Sequence, residues 1–228
     1  MQGIFNKDPL LLFYKERYSV ARILITSGPT RQYLDPVRYL SNASSGKMGA
    51  ALAAAAIQMG HEVVIVSGPV SVEYPTGAEV IEVVSTDDML TAAVKHFPGC
   101  DGVIAVAAPC DFQPVELETQ KIKKTGGVIT LQLTETEDIL KALGQMKTND
   151  QWSVGFALET EDGPARARAK LKQKQCDLIV LNGAAAINSD TNSVRIIDVE
   201  GAVIMNADGS KTDVAVKILQ AIEATLLT

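Results

Sequence analysis

A chain of 228 residues, 46% apolar and 21% charged, has the composition of a soluble globular protein and the length for one α/β domain rather than two full ones. Its net charge of −6, with no basic run beyond the cluster Lys121, Lys123 and Lys124, argues against a nucleic-acid binder and for a small anionic ligand. Three scattered cysteines, Cys100, Cys110 and Cys176, and two histidines without ligand-spaced companions, His61 and His96, exclude a disulfide framework and a structural zinc site.

In chain order, residues 1–20 lack periodicity and are expected to form an N-terminal arm, with 21–228 a single domain. The apolar run 10–13 is bounded by Asp8 and Lys15 and is far short of the roughly 20 residues that a membrane span needs, so a cytoplasmic protein is expected. The first strand, Ile23-Leu24-Ile25-Thr26-Ser27, breaks at Gly28-Pro29-Thr30, and a long polar loop leads into the alanine-rich helix 50–59, stopped by Gly60. Ser44, Ser45 and Gly46 fall at the start of that helix, where free N–H groups and the positive end of the helix dipole favour an anion, and where either serine would also suit a cap. Two sharper nucleotide motifs fail on the letters. Ser41 and Met48 break G-x-x-x-x-G-K-[ST], and Pro29-Thr30 after Gly28 breaks G-x-G-x-x-G.

The run 62–67 is a buried strand ended by Gly68-Pro69, and Ser67 stands where a dinucleotide reader would place an acid. A strand over 80–84 precedes a helix capped by Ser85 or Thr86, with Asp87 and Asp88 in its first turn, running to about 97. The strand 102–107 ends at Ala108-Pro109-Cys110-Asp111. The stretch 111–127 has no regular apolar spacing. Its lysines suit a solvated surface or, on a loop leaving a ligand-facing rim, a flap over phosphates. Further strands are expected over 128–133, 152–157 and 177–181, with helices from Thr136-Glu137-Asp138 to 147 and from Pro164 to 174. A β-hairpin over 194–199 and 202–205 and a closing helix capped by Ser210 or Thr212 complete the chain.

Short apolar strands alternating with helices predict an α/β fold: a three-layer, Rossmann-like, mostly parallel sheet with helices on both faces and a C-terminal β-hairpin plus helix. Ligands in such sheets lie beyond the carboxyl ends of the strands, where the Gly28 loop, the Ser67 turn and the 107–111 turn gather.

The run 35–49, DPVRYLSNASSGKMG, resembles the signature loop of bacterial phosphopantothenoylcysteine synthetase, the ligase of coenzyme A biosynthesis. The resemblance extends over about residues 22–228. Asp111 follows an alanine-rich strand end and the KxKK lysines start ten residues later; Gly155-Phe156-Ala157-Leu158-Glu159-Thr160 resembles GFAAET, Asp177-Leu178-Ile179-Val180 resembles DLIV, and Ile187-Asn188-Ser189-Asp190 resembles FNSD. It implies a two-step ligation in which 4′-phosphopantothenate attacks CTP, releasing pyrophosphate, and L-cysteine then displaces CMP from the acyl-cytidylate. Mg²⁺ would accompany the triphosphate.

By the same resemblance Lys121 is the cation at the α-phosphate in the first step, and Asn42 orients the acyl carbonyl in the second. Gly28, Arg38, Ser44, Ser45 and Gly46 are assigned to substrate and phosphate binding. The nucleotide pocket takes Ala105, Val106, Ala107, Ala108 and Asp111 from one strand end, and Glu137, Asp138, Ile139 and Leu140 from a segment similar to PDIV. Phe156, Lys170 and Lys174 complete it. The resemblance also implies a homodimer, with 128–133 available for pairing, and an association with a phosphopantothenoylcysteine decarboxylase, which is fused to the synthetase in many bacteria. A free-standing synthetase and an excised portion fit the sequence equally. Two other classes stay open: a nicotinamide-dependent reductase, although no tyrosine has lysine four residues later, and a nucleotide-binding module without catalysis.

Overall fold

The structure, a computed structural model, describes residues 19–124, 126–158, 163–183 and 189–227. The N-terminal arm up to residue 18, Glu159 and Thr160, and Ile187 and Asn188 lie outside the described residues.

Six parallel strands form the middle of one sheet: β1 (Arg22–Ser27), β4 (Glu62–Ser67), β5 (Glu79–Glu82), β6 (Gly102–Ala105), β9 (Trp152–Leu158) and β10 (Leu178–Asn182). Two antiparallel strands, β11 (Thr191–Asp198) and β12 (Val203–Ser210), extend it, giving the order β12-β11-β10-β9-β6-β1-β4-β5. From β1 the chain steps outward to β4 and β5, then returns to β6 on the other side of β1. That reversal opens a crevice beyond Thr26 and Ala105, which are register partners.

β1, β4, β6, β9 and β10 are mostly apolar because helices cover both their faces, whereas β5 and β12 are largely exposed and β11 alternates. Ile23 and Ile25 of β1 point to α1 (Lys47–Gln58) and α5 (Lys211–Leu226), in a cluster with Leu52, Ile65, Val180 and Ile218. Leu24 points the other way, with Val64, Val66 and Val103, against Met89 and Ala93 of α2 (Thr86–His96) and Leu143 of α3 (Ile139–Met146). Leu171 of α4 (Gly163–Lys174) packs with Leu140, Ile179 and Ile197 in a third cluster. Each large aliphatic side chain so buried contributes about 1.5–3 kcal/mol against exposure. The small residues of α1 let it lie close to β1. A Cβ on Gly49 would collide with the Ser27 side chain.

Several elements differ from the sequence expectation. α1 begins at Lys47 with Gly46 as N-cap and no side-chain cap hydrogen bond, so neither Ser44 nor Ser45 caps it. The loop before α1 contains a hairpin, β2 (Arg31–Tyr33) and β3 (Tyr39–Ser41). It is closed by Asp35, whose Oδ1 accepts from the N–H groups of Val37 and Arg38. The strand expected over 128–133 is confined to β8 (Leu133–Glu135), which pairs antiparallel with β7 (Phe112–Pro114) in the stretch expected to be irregular. The alternation of 128–133 matched a strand, but Val128, Ile129 and Leu131 are exposed, so it has no core to face. β6 stops at Ala105, and residues 106–108 continue beside the end of β1 through single hydrogen bonds and a bridge from Ala108 to Pro29, lining the crevice. Both strands of the C-terminal hairpin are longer than expected.

Candidate functional site

The crevice at the β1/β6 reversal is a cleft of about 820 Å³. One wall is residues 105–112, held against the end of β1 where Val106 N–H donates to Thr26 O (3.2 Å) and Ala108 N–H donates to Gly28 O (2.9 Å). The opposite wall is the entry of α3, residues 135–140, with Phe156 from β9 and Lys170 and Lys174 from α4. The floor is the loop 42–49 with the first turn of α1, and Asn192 and Lys211 close the far end.

The amino end of α1 lacks the side-chain cap that α2, α3 and α5 have. α2 starts with a Ser85–Asp88 capping box, α3 with Asp138 and α5 with Ser210, each side chain accepting from a first-turn N–H. α1 has no such cap and no acid in its first turn, and, like α5 with Lys211, it carries a lysine at its first position, where a cation opposes the dipole. Gly46 has φ +75, and a Cβ there would lie 2.8 Å from Val70 Cγ1, so the position demands glycine on two counts. Lys47 Nζ instead pairs with Asp190 Oδ1 at 2.6 Å, which holds the Asp190 carboxyl below its usual range. Burial, and then the nearby Lys47 charge, push the Lys211 ammonium down, with Asp190 opposing. Lys174 pairs with Asp138 at 3.0 Å, tying α4 to the cap of α3. Such a site favours an anion bearing several charges.

On the other side of β1 the crevice is filled. Val70 Cγ1 sits 2.6 Å from where a Cβ on Gly28 would be. Tyr74 Oη donates to Ser27 Oγ (2.9 Å) and meets Ser67 Oγ at 2.7 Å. Residues 68–74 therefore cover the ends of β1 and β4, where a dinucleotide-binding reductase would read the ribose, and leave the β6 side open.

Residues 18–226 match the family described as DNA/pantothenate metabolism flavoprotein C-terminal domain. The chain belongs to this family. The coenzyme A biosynthesis bifunctional protein CoaBC of Bacillus subtilis (strain 168) is 46% identical over 207 residues, 89% of this chain and 51% of that protein. The chain spans about half the length of the curated relatives it matches. A crystal structure of the C-terminal domain of a coenzyme A biosynthesis bifunctional protein CoaBC, 39% identical, has a TM-score of 0.77 over 90% of this chain and 95% of that one. A Cab2 mutant in complex with phosphopantothenate-cysteine, only 16% identical, shares the fold at a TM-score of 0.72 over 98% of this chain and 95% of that one.

In this flavoprotein C-terminal domain the sequence-predicted residues divide by place. Asn42, Ser44, Ser45 and Gly46 line the cleft, as do Ala105, Val106, Ala107, Ala108 and Asp111. Glu137, Asp138, Ile139, Leu140, Phe156, Lys170 and Lys174 line it from the other side. Gly28, Arg38 and Lys121 are outside the lining. Gly28 supports the turn beneath Val70. Arg38, expected to hold a phosphate or shape the loop, is paired with Asp35 and donates to Ile122 O at 3.2 Å, while Asp35 Oδ2 accepts from Ile122 N–H at 3.1 Å. Burial alone would raise the Asp35 carboxyl, but the N–H groups of Val37, Ile122 and Arg38 and the Arg38 guanidinium outweigh it and lower it to about 2. The Asp35–Arg38 pair thus anchors the residue next to the exposed Lys121. Lys47, Lys211, Asn192 and Thr136 line the cleft without having been expected there. Lys47 stood in the signature run, but Lys211 and Asn192 arrive by tertiary packing, α5 crossing back beside α1, and carry no local signal.

Proposed function

We propose that the chain carries a ligase centre of coenzyme A biosynthesis that joins 4′-phosphopantothenate to L-cysteine at the expense of CTP. The observation that carries this reading is the single cleft in which an uncapped helix end and lysines face a wall of backbone groups, with Asn42 between them. The kinship to bifunctional coenzyme A biosynthesis proteins and the phosphopantothenate-cysteine bound to a structural relative support it.

In the first step a carboxylate oxygen attacks the α-phosphorus of CTP, the P–O bond to pyrophosphate breaks and an acyl-cytidylate forms. Two anions meet, so fixed cations and N–H donors must offset their repulsion and the charge that develops at phosphorus. Lys47, Lys211 and the first turn of α1 stand where phosphates would lie. Lys121, rooted beside Ile122, swings in from the rim. In the second step the cysteine amine attacks the acyl carbonyl, the carbonyl–oxygen bond to CMP breaks and the amine loses its proton. A neutral donor at Asn42 suits that carbonyl. Among the described residues no three of His, Cys, Asp and Glu group as a metal cage. Mg²⁺ would therefore enter on the triphosphate, as suits a hard ion that keeps phosphate and water ligands, and would neutralise phosphate charge there.

The chain is also proposed to act as a homodimer through the β7–β8 ribbon, whose surroundings expose Val115, Leu117, Val128, Ile129 and Leu133 at 56%, 63%, 95%, 54% and 43%. A two-stranded ribbon with this much uncovered apolar surface gains from a partner.

The test is pyrophosphate and CMP release with CTP or ATP, 4′-phosphopantothenate and cysteine. Pyrophosphate should appear without cysteine and CMP only with it. Lys121→Gln should abolish pyrophosphate release, while Asn42→Asp should keep it and lose transfer to cysteine. Nucleotide binding without pyrophosphate release in the parent would favour a non-catalytic module.

A further inference from the structure

Behind the cleft wall, three threonine hydroxyls converge on two consecutive peptide groups. Cys110 N–H donates to Thr30 Oγ1 (2.8 Å), Thr30 Oγ1 lies 2.8 Å from Thr86 Oγ1, and Thr86 Oγ1 donates to Cys110 O (3.1 Å). Because Thr30 Oγ1 accepts from Cys110 and the Thr86 proton goes to the carbonyl, the Thr30 proton must point to Thr86. The bonds therefore close in one direction, leaving Cys110 N–H and returning to Cys110 C=O, an arrangement in which each bond polarises the next. Thr30 and Thr86 are 0% and 1% exposed, so no water competes for them. From the cleft side Thr136 Oγ1 also donates to Cys110 O (2.7 Å), and Thr136 N–H donates to Asp111 O (2.9 Å).

The peptide whose N–H enters this ring has Pro109 C=O at its other end, and that oxygen accepts from Asn42 Nδ2 at 2.8 Å. A carbonyl oxygen cannot donate, so only the amide nitrogen of Asn42 can face it. The second amide hydrogen and Oδ1 then have fixed directions. Thr30 also grips the hairpin that carries Asn42, since Ser41 Oγ donates to Thr30 O at 2.9 Å. The ring thus joins the residue before β2, the first turn of α2 and the nucleotide-side wall, with Thr136 of the segment entering α3 on the same carbonyl, and its output is the direction of one amide.

Building on the ligase reading, we propose that Thr30 and Thr86, which lie behind the cleft wall and outside its lining, are positioning residues. They clamp the 109–110 peptides so that the Asn42 amide is aimed at the acyl carbonyl during attack by cysteine. Their effect falls more heavily on the second step than on the first, because the contact they fix is the one to Asn42, while the start of α1, where the phosphates would lie, is outside the ring.

The test compares Thr86→Val, which keeps the shape and removes the donor, with Thr86→Ser, which keeps the donor. Pyrophosphate formation without cysteine and transfer to cysteine are measured separately, with thermal melting as a check of folding. Thr86→Val should slow transfer about tenfold or more, as misplacement of a catalytic group does, while pyrophosphate formation at saturating CTP changes less than about twofold. Thr86→Ser should restore transfer. Equal loss in both steps, no loss in either, or failure of serine to rescue would overturn the clamp. Should Thr86→Val not fold, Thr30→Val breaks the same ring at its other hydroxyl and is read against the same criteria. A parent enzyme that never forms the acyl-cytidylate would instead remove the ligase reading itself.

Discussion

Asn42 shows how much one residue's role depends on its partner. Its amide nitrogen faces the carbonyl oxygen of Pro109, and a carboxylate at that position would face the oxygen with its own negative charge. Asn42→Asp is isosteric, yet it both removes a donor and turns the side chain away. The expected outcome is an activated acyl species that accumulates, with transfer to cysteine reduced at least 100-fold, on the order of the loss seen when one charge-stabilising donor is removed. Quenched-flow separation of pyrophosphate from CMP reads this directly, and equal slowing of the two would contradict the assignment. The signature run made Asn42 and Gly46 legible in the sequence. Lys47 stood in the same run, but its importance appears only beside Asp190, which is 143 positions away. Thr30, Thr86 and Thr136 read as turn and cap residues, since nothing in their spacing marks three hydroxyls on one peptide.

At the scale of elements, what fixes the floor of the cleft is the seating of α5 beside α1. One polar contact in that seat is titratable. Ala21 N–H donates to His61 Nδ1 (3.1 Å), so the ring proton sits on Nε2 and is directed at Glu223 Oε1, 3.2 Å away on α5. Burial raises the Glu223 carboxyl from 4.5 to about 7, and burial, with Asp101 opposing, lowers His61. Both shifts favour a neutral pair. A raised acid stabilises the fold fully below its unfolded value of 4.5, and that stability is lost as pH rises through about 7. The lowered histidine acts oppositely, its contribution being lost as pH falls below its unfolded value of 6.5. Between pH 6 and 8.5 the protein should therefore lose on the order of 1 kcal/mol, and Glu223→Gln should flatten that slope. Urea denaturation at the two pH values decides, and equal slopes in parent and variant would show that Glu223 is ionised throughout.

The central strands and their helices were legible because buried parallel strands read as apolar runs between turn signals. The hairpins β2–β3 and β7–β8 were not, because three-residue strands with little burial carry no such pattern. At the start of α1 the sequence offers both an anion site and a serine cap, since serines before a helix usually cap it, and no side chain caps it. Here the rule fails at the floor of the candidate cleft.

For the whole molecule, the reversal of strand order at β1 and β6 and the plug of residues 68–74 on the other side select one cleft. A net charge of −6 surrounds it, while its lining carries four lysines, Lys47, Lys170, Lys174 and Lys211, against four carboxylates, Asp111, Glu135, Glu137 and Asp138, so it is less acidic than the general surface and repels anions less. Apolar residues left uncovered on the β7–β8 ribbon belong to this scale too. Sedimentation should give twice the chain mass for the parent and the single mass for Ile129→Asp. A parent that sediments as a monomer would leave that ribbon without the proposed partner.

The central claim is that a triphosphate lies across the carboxyl ends of β1 and β6 with its phosphates at the start of α1. A crystal structure with CTP bound tests it most directly. The account predicts the phosphates within hydrogen-bonding distance of the Ser45–Lys47 backbone and the Lys47 ammonium displaced from Asp190 toward them. A nucleotide bound on the Val70 side of β1, or a cleft left empty at saturating CTP, would contradict it.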